Sequence, residues 1–368
     1  MHIVVVIKDR LENMPPILSA IKLIDELGHK VSVINENVPD FWQEYYNSHG
    51  INYYVTSSTI GRNASRLEKI KSYFTFRKEA RQIISKICRD DNEALLWIEG
   101  PQTIVSLGTG FIKKYRYSLM IEELHDTSKL HMKAIGDVIH EAKAIFMPEY
   151  NRSILYKVWF GLDRHPYVLP NKPYFLPEKK ELEEAEKKYS KIFDDIKGKK
   201  IILYQGVIDG VRNLDNYIMA AKKLGGDYMF CLLGPGRGNS VEQLTSLWEN
   251  VYHIDFIPAP YYLSITAKAY IGIVSYVPNT LNNVFCAPNK MFEYASFGVP
   301  MVGNDIPGLK LIDHKNAGIT REDTDVDSIF DSYQRIIANH EEYSKNARLL
   351  YDSTDNKETI RIAIENIK

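Results

Sequence analysis

The chain has 368 residues, 45% hydrophobic and 25% charged, with a formal net charge of −1. That length exceeds what one compact α/β domain needs and fits two cores of near-equal size, and the ordinary composition excludes disordered and fibrous chains. The balanced charge gives no overall reason to expect nucleic acid, and the three scattered cysteines, without a Cys-x-x-Cys spacing, read as reduced thiols and argue against a structural zinc site.

The N-terminus, MHIVVVIKDR, holds an apolar run too short for a signal-peptide core or a membrane span, so the expected location is the cytoplasm. The run IVVVI is followed by a helical stretch from Ile17 to Leu27, then KVSVI, a helical region and ALLWIEG. Short β-branched runs alternating with helical period are βαβ grammar. YSLMIEEL and AKAIFMPE extend the series, which predicts a mostly parallel sheet covered by helices on both faces.

Within the first half, Arg62 to Arg89 carries nine basic residues against two acidic ones, interleaved with Tyr73, Phe74 and Phe76. Such a basic, aromatic-bearing helix suits an anionic membrane surface, with KKYRY at 113–117 adding to it and placing the protein peripherally on the inner face of the membrane. The alternative, a solvated helix whose aromatics pack inward, stays open at this level. No nucleic-acid-binding module accompanies the patch.

The segment YVLPNKPYFLPEKKELEEAEKKYSKIFDD combines prolines with a dense charge run that cannot supply a core strand. It sets expected domains of 1–172 and 173–354, with a terminal helix at 355–368 packing back on the first. A second alternating series follows: KKIILYQG, NLDNYIMAAKKLG, YMFCLLGPG, VYHIDFI, YIGIVSYV, NKMFEYASFG and VPMVGND. The reading is α/β, two Rossmann-like domains facing a central cleft.

In open α/β sheets ligands sit beyond the carboxyl ends of the strands, which singles out three places. In CAPNKMFEYASFGVPMVGND, Pro288 suits the first turn of a helix whose exposed start carries Asn289, Lys290 and Glu293. A helix N-terminus with a lysine beside it suits a diphosphate, and a carboxylate one turn on can accept hydrogen bonds from sugar hydroxyls. By spacing alone, Lys290 and Glu293 equally well form an i,i+3 surface pair. In LYQGVIDGVRNLDNY a strand leads through Gly206 to Arg212 at the mouth of the next helix, a second phosphate position. LLGPGRGNS is too compact for a dinucleotide fingerprint and reads as a turn whose glycines supply positive φ.

Together these segments resemble glycosyltransferase family 4, with its GT-B fold, over essentially the whole chain. APNKMFEYASFGVPMVGNDIPGL resembles the family's donor-site segment, and YQGVIDGVRN its first C-domain loop, where Arg212 falls on a diphosphate-contacting position and Val207 on the other. HIDFIPAPYY resembles the strand and loop that read the nucleobase, implicating Phe256, Ile257 and Pro258. IEELHD resembles the strand-end histidine motif, placing His125 near the transferred sugar with Asp126 beside it. Tyr150 and Arg152 fall in a segment that resembles the exit from the N-domain, and Glu99 and Gly100 are further candidates after the LLWI strand. Of the family's two glutamates seven residues apart, the second matches Glu293 and the first position is Phe285.

The resemblance implies a nucleotide-sugar co-substrate, taken as a UDP-sugar, with no other cofactor. It implies a saccharide or lipid-linked acceptor in surface polysaccharide biosynthesis, and transfer with retention. Lys290, Arg212 and the helix dipole would neutralise the departing diphosphate without a metal, and no DxD motif stands at a strand end. Two rivals use the same donor half. A nucleotide-sugar epimerase would need carboxylates as acid and base, and a non-catalytic partner subunit is suggested by Phe285.

Overall fold

The run His2–Ile7 is buried along its whole length and forms β1, an inner strand of a parallel sheet, as expected of a strand with helices on both faces. The computed structural model describes residues 1–9, 11, 14–58, 65–210 and 212–367. It divides into two compact units, Met1–Pro170 with Asp355–Lys368, and Asn171–Thr354.

In the first unit, β1 is joined by β2 (Lys30–Asn35), β3 (Asn52–Val55), β4 (Leu95–Glu99), β5 (Arg116–Met120), β6 (Ile145–Met147) and β7 (Tyr167–Val168), in the order β3-β2-β1-β4-β5-β6-β7. In the second, β8 (Lys200–Gln205), β9 (Tyr228–Leu233), β10 (Val251–Ile254), β11 (Ala269–Val274), β12 (Met301–Asn304) and β13 (Gly318–Arg321) run β10-β9-β8-β11-β12-β13. The pattern reading missed β3, β7 and β13, all edge strands. Edge strands are buried on fewer sides, so NYYV, YV and GITR carry no continuous apolar signal.

Both orders reverse direction once, between β1 and β4 and between β8 and β11. Crossovers leave the sheet in opposite directions there, and the crevice beyond the strand ends is where such sheets bind ligands. At the first reversal, buried Lys8 places its ammonium 2.6 Å from Glu36 and 2.9 Å from Ser72, and Ser58 donates to the same carboxylate at 2.7 Å. This paired buried charge ties the ends of β1 and β2 to the helix Arg66–Asp90.

Of the basic, aromatic-bearing stretch 62–89, residues 62–64 lie outside the described residues and Arg66–Asp90 is that helix. Phe76, Ala80, Ile84 and Ile87 are core. Arg77 donates to the carbonyls of Ser106 and Val105, and Arg81 to Leu107, so both cap the end of the helix Gly100–Leu107 rather than face solvent. Its exposed face includes an apolar stripe, Leu67, Ile70 and Phe74, beside Arg66, Lys69 and Lys71. No helix among the described residues is long and apolar enough to cross a membrane.

The terminal helix Asn356–Glu365 belongs to the first unit, where Lys357 pairs with Glu26 at 3.1 Å and the Asn356 amide donates to Pro170 O at 2.7 Å.

Candidate functional site

At the second reversal, β8 ends in Gln205 and the chain turns through Gly206, at φ 135°. Glycine is needed on both sides of this turn. Gly234, which leaves β9 at φ 134°, lies so close that a Cβ on it would stand 2.2 Å from Gly206 O. Gly234 and Gly238, at φ 60°, thus supply the positive φ expected of LLGPGRG, and the compact turn lets the backbone of the β8 loop approach. Gly234→Ala is expected to cost about 1–3 kcal/mol by overpacking, read as a lower urea midpoint, and to weaken any ligand held by the Gly206 turn.

Beyond Gly206 the loop brings back Arg212, whose guanidinium lies 4.2 Å from the Tyr276 ring while Ser275, at the end of β11, donates to Arg212 O at 2.8 Å. The helix Asn289–Ser296 enters from the other side with Pro288 as its N-cap. Its approach depends on Gly272 in β11: a Cβ there would meet the Tyr294 ring at 2.5 Å, and Tyr294 donates to Leu203 O at 2.8 Å.

This packing places the Lys290 ammonium 4.1 Å from the Tyr204 ring centre, and a Cβ on Gly206 would stand 3.1 Å from it. Among the described residues no ion pair is formed by Lys290 or Arg212. Two cations therefore share one pocket lined by the faces of Tyr204 and Tyr276. Burial, then the neighbouring Arg212 charge, holds the Lys290 ammonium down at about 7. An anion bridging the two cations would relieve both effects, and the first backbone N–H groups of Asn289 and Lys290 have no partner within their helix.

The helix start is not the exposed surface expected from sequence. Glu293 is 6% exposed and accepts from Tyr262 OH at 2.5 Å and from the Gln205 amide, whose own oxygen accepts from Thr266 at 2.8 Å. Lys290 and Glu293 are thus not a surface pair. Glu293 is first of all a buried joint between the end of β8, the helix Leu263–Thr266 and the Lys290 helix, and burial raises its pKa.

Phe256 and Pro258 are exposed after β10, with Ile257 buried between them in the core. Among the described residues none of the three shares a hydrogen bond or ring contact with Lys290 or Arg212. The same loop reaches the site through Tyr262. Sequence reasoning missed Gln205, Tyr262, Thr266, Tyr204 and Tyr276. Only Gln205 left a signal, a polar residue closing an otherwise apolar strand.

In the first unit, Glu99 closes β4 beside the end of β1, with Ile7 and Glu99 paired. Burial, then Glu122, then Asp9 hold its carboxyl well above the usual carboxylate range. His125 lies past β5 at φ 57°, in the left-handed region that non-glycine residues rarely occupy, which points to a functional constraint. Its ring meets His131 edge-on at 5.3 Å. Burial, then the His131 and Arg152 charges, hold it at about 4, so the imidazole is neutral at physiological pH. Among the described residues no group of three or more His, Cys, Asp or Glu side chains is placed to hold a metal ion.

No family model matches the chain, and no curated protein matches it in sequence. Solved structures match its fold. A glycosyltransferase from Rickettsia africae superposes with a TM-score of 0.69 at 12% identity, covering 100% of this chain and 98% of its own. Anabaena HepE in complex with UDP-glucose gives 0.71 at 13% identity, covering 99% and 98%. A UDP-N-acetylglucosamine 2-epimerase homologue from Listeria monocytogenes gives 0.62 at 11% identity, covering 98% and 94%. The fold is therefore α/β with two parallel sheets, matching GT-B glycosyltransferase structures.

Proposed function

We infer that the chain is a glycosyltransferase that takes a sugar from a nucleotide-sugar donor, with uridine diphosphate as the leaving group. The carrying observation is the couple Lys290 and Arg212, without an ion pair among the described residues, at the reversal between β8 and β11 and beside the start of the Asn289–Ser296 helix. Two convergent cations, a helix N-terminus and a glycine turn without a Cβ form an anion site, and stabilising developing charge is the main task in losing a diphosphate. HepE, on the same fold, was solved with UDP-glucose. Asn289 and Gly206 supply backbone to the diphosphate in this reading. Phe256, Ile257 and Pro258 border the base, and Glu293 orients Lys290 through its buried network.

His125 in the first unit engages the transferred sugar. A neutral imidazole donates from one nitrogen and accepts at the other, and a group held at about 4 serves as a hydrogen-bonding partner rather than a strong base. The acceptor is a saccharide or lipid-linked saccharide, the product retains the donor's anomeric configuration, and the chemistry runs without a divalent ion in the cytoplasm. Calorimetry with a panel of nucleotide-sugars, without added metal, tests the donor half. One uridine-linked sugar should bind and release UDP slowly by hydrolysis, and binding of none would sink the reading.

A lipid-linked acceptor fits the exposed stripe Leu67, Ile70 and Phe74, flanked by basic residues on a helix whose other face is core. The protein is expected to co-sediment with phosphatidylglycerol vesicles and not with phosphatidylcholine vesicles, less so at high salt. Leu67→Ser with Phe74→Ser should cut partitioning by about tenfold or more, given about 1.5–3 kcal/mol per buried large apolar side chain.

One observation favours epimerisation: Glu99 is a buried carboxyl that burial, then Glu122, then Asp9 push up from the usual carboxylate range, and carboxyls whose environments push their pKa values apart are what acid–base chemistry uses. Conversion of UDP-N-acetylglucosamine to an epimer without any acceptor, abolished by Glu99→Gln, would select that reaction instead.

A further inference from the structure

The helix Tyr150–Phe160 follows β6 and turns two buried side chains, one helical turn apart, onto the exit of β5. Arg152, 3% exposed, donates from Nη1 to Glu122 O and lies 3.5 Å from the Glu123 carboxylate. Tyr156, fully buried, donates from its hydroxyl to Leu124 O at 2.9 Å and reaches Glu123 O at 3.4 Å. Three successive carbonyls, those of Glu122, Glu123 and Leu124, are thus engaged from one helix face.

The next residue is His125, in its left-handed conformation, and its carbonyl accepts from Ser128 N at 2.9 Å to close the turn into the helix Lys129–Ile139. A non-glycine residue at φ 57° costs about 1–3 kcal/mol and persists only when its surroundings over-determine it. Arg152 and Tyr156 are that surrounding structure. A buried guanidinium needs acceptors, and the Glu122 carbonyl and the Glu123 carboxylate supply them here.

We propose that Arg152 and Tyr156 are positioning residues that clamp the 122–124 backbone and thereby fix the orientation of the His125 imidazole for the reaction. The proposal rests on the assignment of His125 above and extends it to two residues that touch no reacting atom. Misplacing a working group by about 1 Å costs on the order of 10²-fold in rate, so loosening the clamp acts on turnover and not on donor affinity, whose machinery is Lys290 and Arg212.

The test uses the full chain, with UDP-glucose and UDP-N-acetylglucosamine as probes and UDP release as the rate. Tyr156→Phe removes one hydroxyl at constant shape, and Arg152→Gln removes the charge while keeping a donor. Both are compared with wild type and in a His125→Ala background, together with the His125 ring resonance by 1H–13C NMR. Expected are a shift of the His125 ring signal in both variants, kcat lower by about tenfold for Tyr156→Phe and about 10²-fold for Arg152→Gln, unchanged donor Kd, and no further loss in the His125→Ala background.

An unmoved His125 resonance in Tyr156→Phe, which is conservative enough to fold, overturns the clamp. Losses that add in full to His125→Ala also overturn it, since they would mark a structural effect. If the ring signal shifts but His125→Ala itself turns over at the wild-type rate, the clamp stands as geometry and the catalytic assignment of His125 is what fails.

Discussion

Lys290→Ala is expected to weaken nucleoside-diphosphate binding by about 10- to 150-fold, the size of one lost charge-assisted hydrogen bond of about 1.5–3 kcal/mol, measured by calorimetry with UDP. The same site makes a second, opposite prediction for the free protein. Burial and Arg212 hold Lys290 at about 7, far below its ordinary 10.5. Between those values the unfolded chain carries a proton that the folded chain has lost, so stability contributed by this residue rises with pH from about 7 to 10.5 and is least below 7.

Lys290→Met should therefore raise the thermal midpoint of the unliganded protein at pH 6, by about 2–4 °C per kcal/mol relieved, while weakening donor binding as Lys290→Ala does. Such a trade marks a residue kept for function against stability. Donor affinity has the reverse pH dependence. The diphosphate needs the charged ammonium, so affinity is full below about 7, falls as the pH rises above it, and binding takes up a proton there. Affinity that stayed constant from pH 6 to 9 would remove Lys290 from the anion site.

His125→Ala should lower kcat by about 10²-fold or more, the scale of a misplaced or missing working group, with the UDP Kd unchanged because the cation pair lies in the other unit. The pH profile is a further check. With the imidazole held at about 4, turnover should show no acid limb near the ordinary histidine value of 6.5, and loss should set in only toward pH 4. Between those values the unfolded state binds a proton that the folded state does not. Stability from this residue is therefore lost as pH falls from 6.5 toward 4, and the wild type should gain acid resistance on His125→Ala. An acid limb at pH 6.5 that vanishes in His125→Ala would mean that the ring is not held neutral by its surroundings.

The alternation of apolar and helical runs was legible because strands buried on both faces must be continuously apolar, and helices covering them must be amphipathic. β1, β2, β4 to β6 and β8 to β12 left such runs. The edge strands β3, β7 and β13 did not. The same grammar directed attention to strand ends, and so to Arg212 and Lys290, without knowledge of which strands would be neighbours, whereas His125 came from the resemblance of IEELHD to a family motif.

By itself, the sequence determined the α/β class, the two sheets and the polar residues stationed where strands stop, since these depend on local period and on residues near in the chain. Only the tertiary structure decided what those residues meet. Spacing of i,i+3 describes a surface pair and a buried joint equally well, and it was Gly272, by admitting the Tyr294 ring, that brought Lys290 against Tyr204 and Glu293 under Tyr262. Likewise Arg77 and Arg81 look like any other basic residues in the chain, until the end of a neighbouring helix offers them carbonyls. Burial and long-range pairing set the charge state and role of each group, and neither is encoded in the residues adjacent to it.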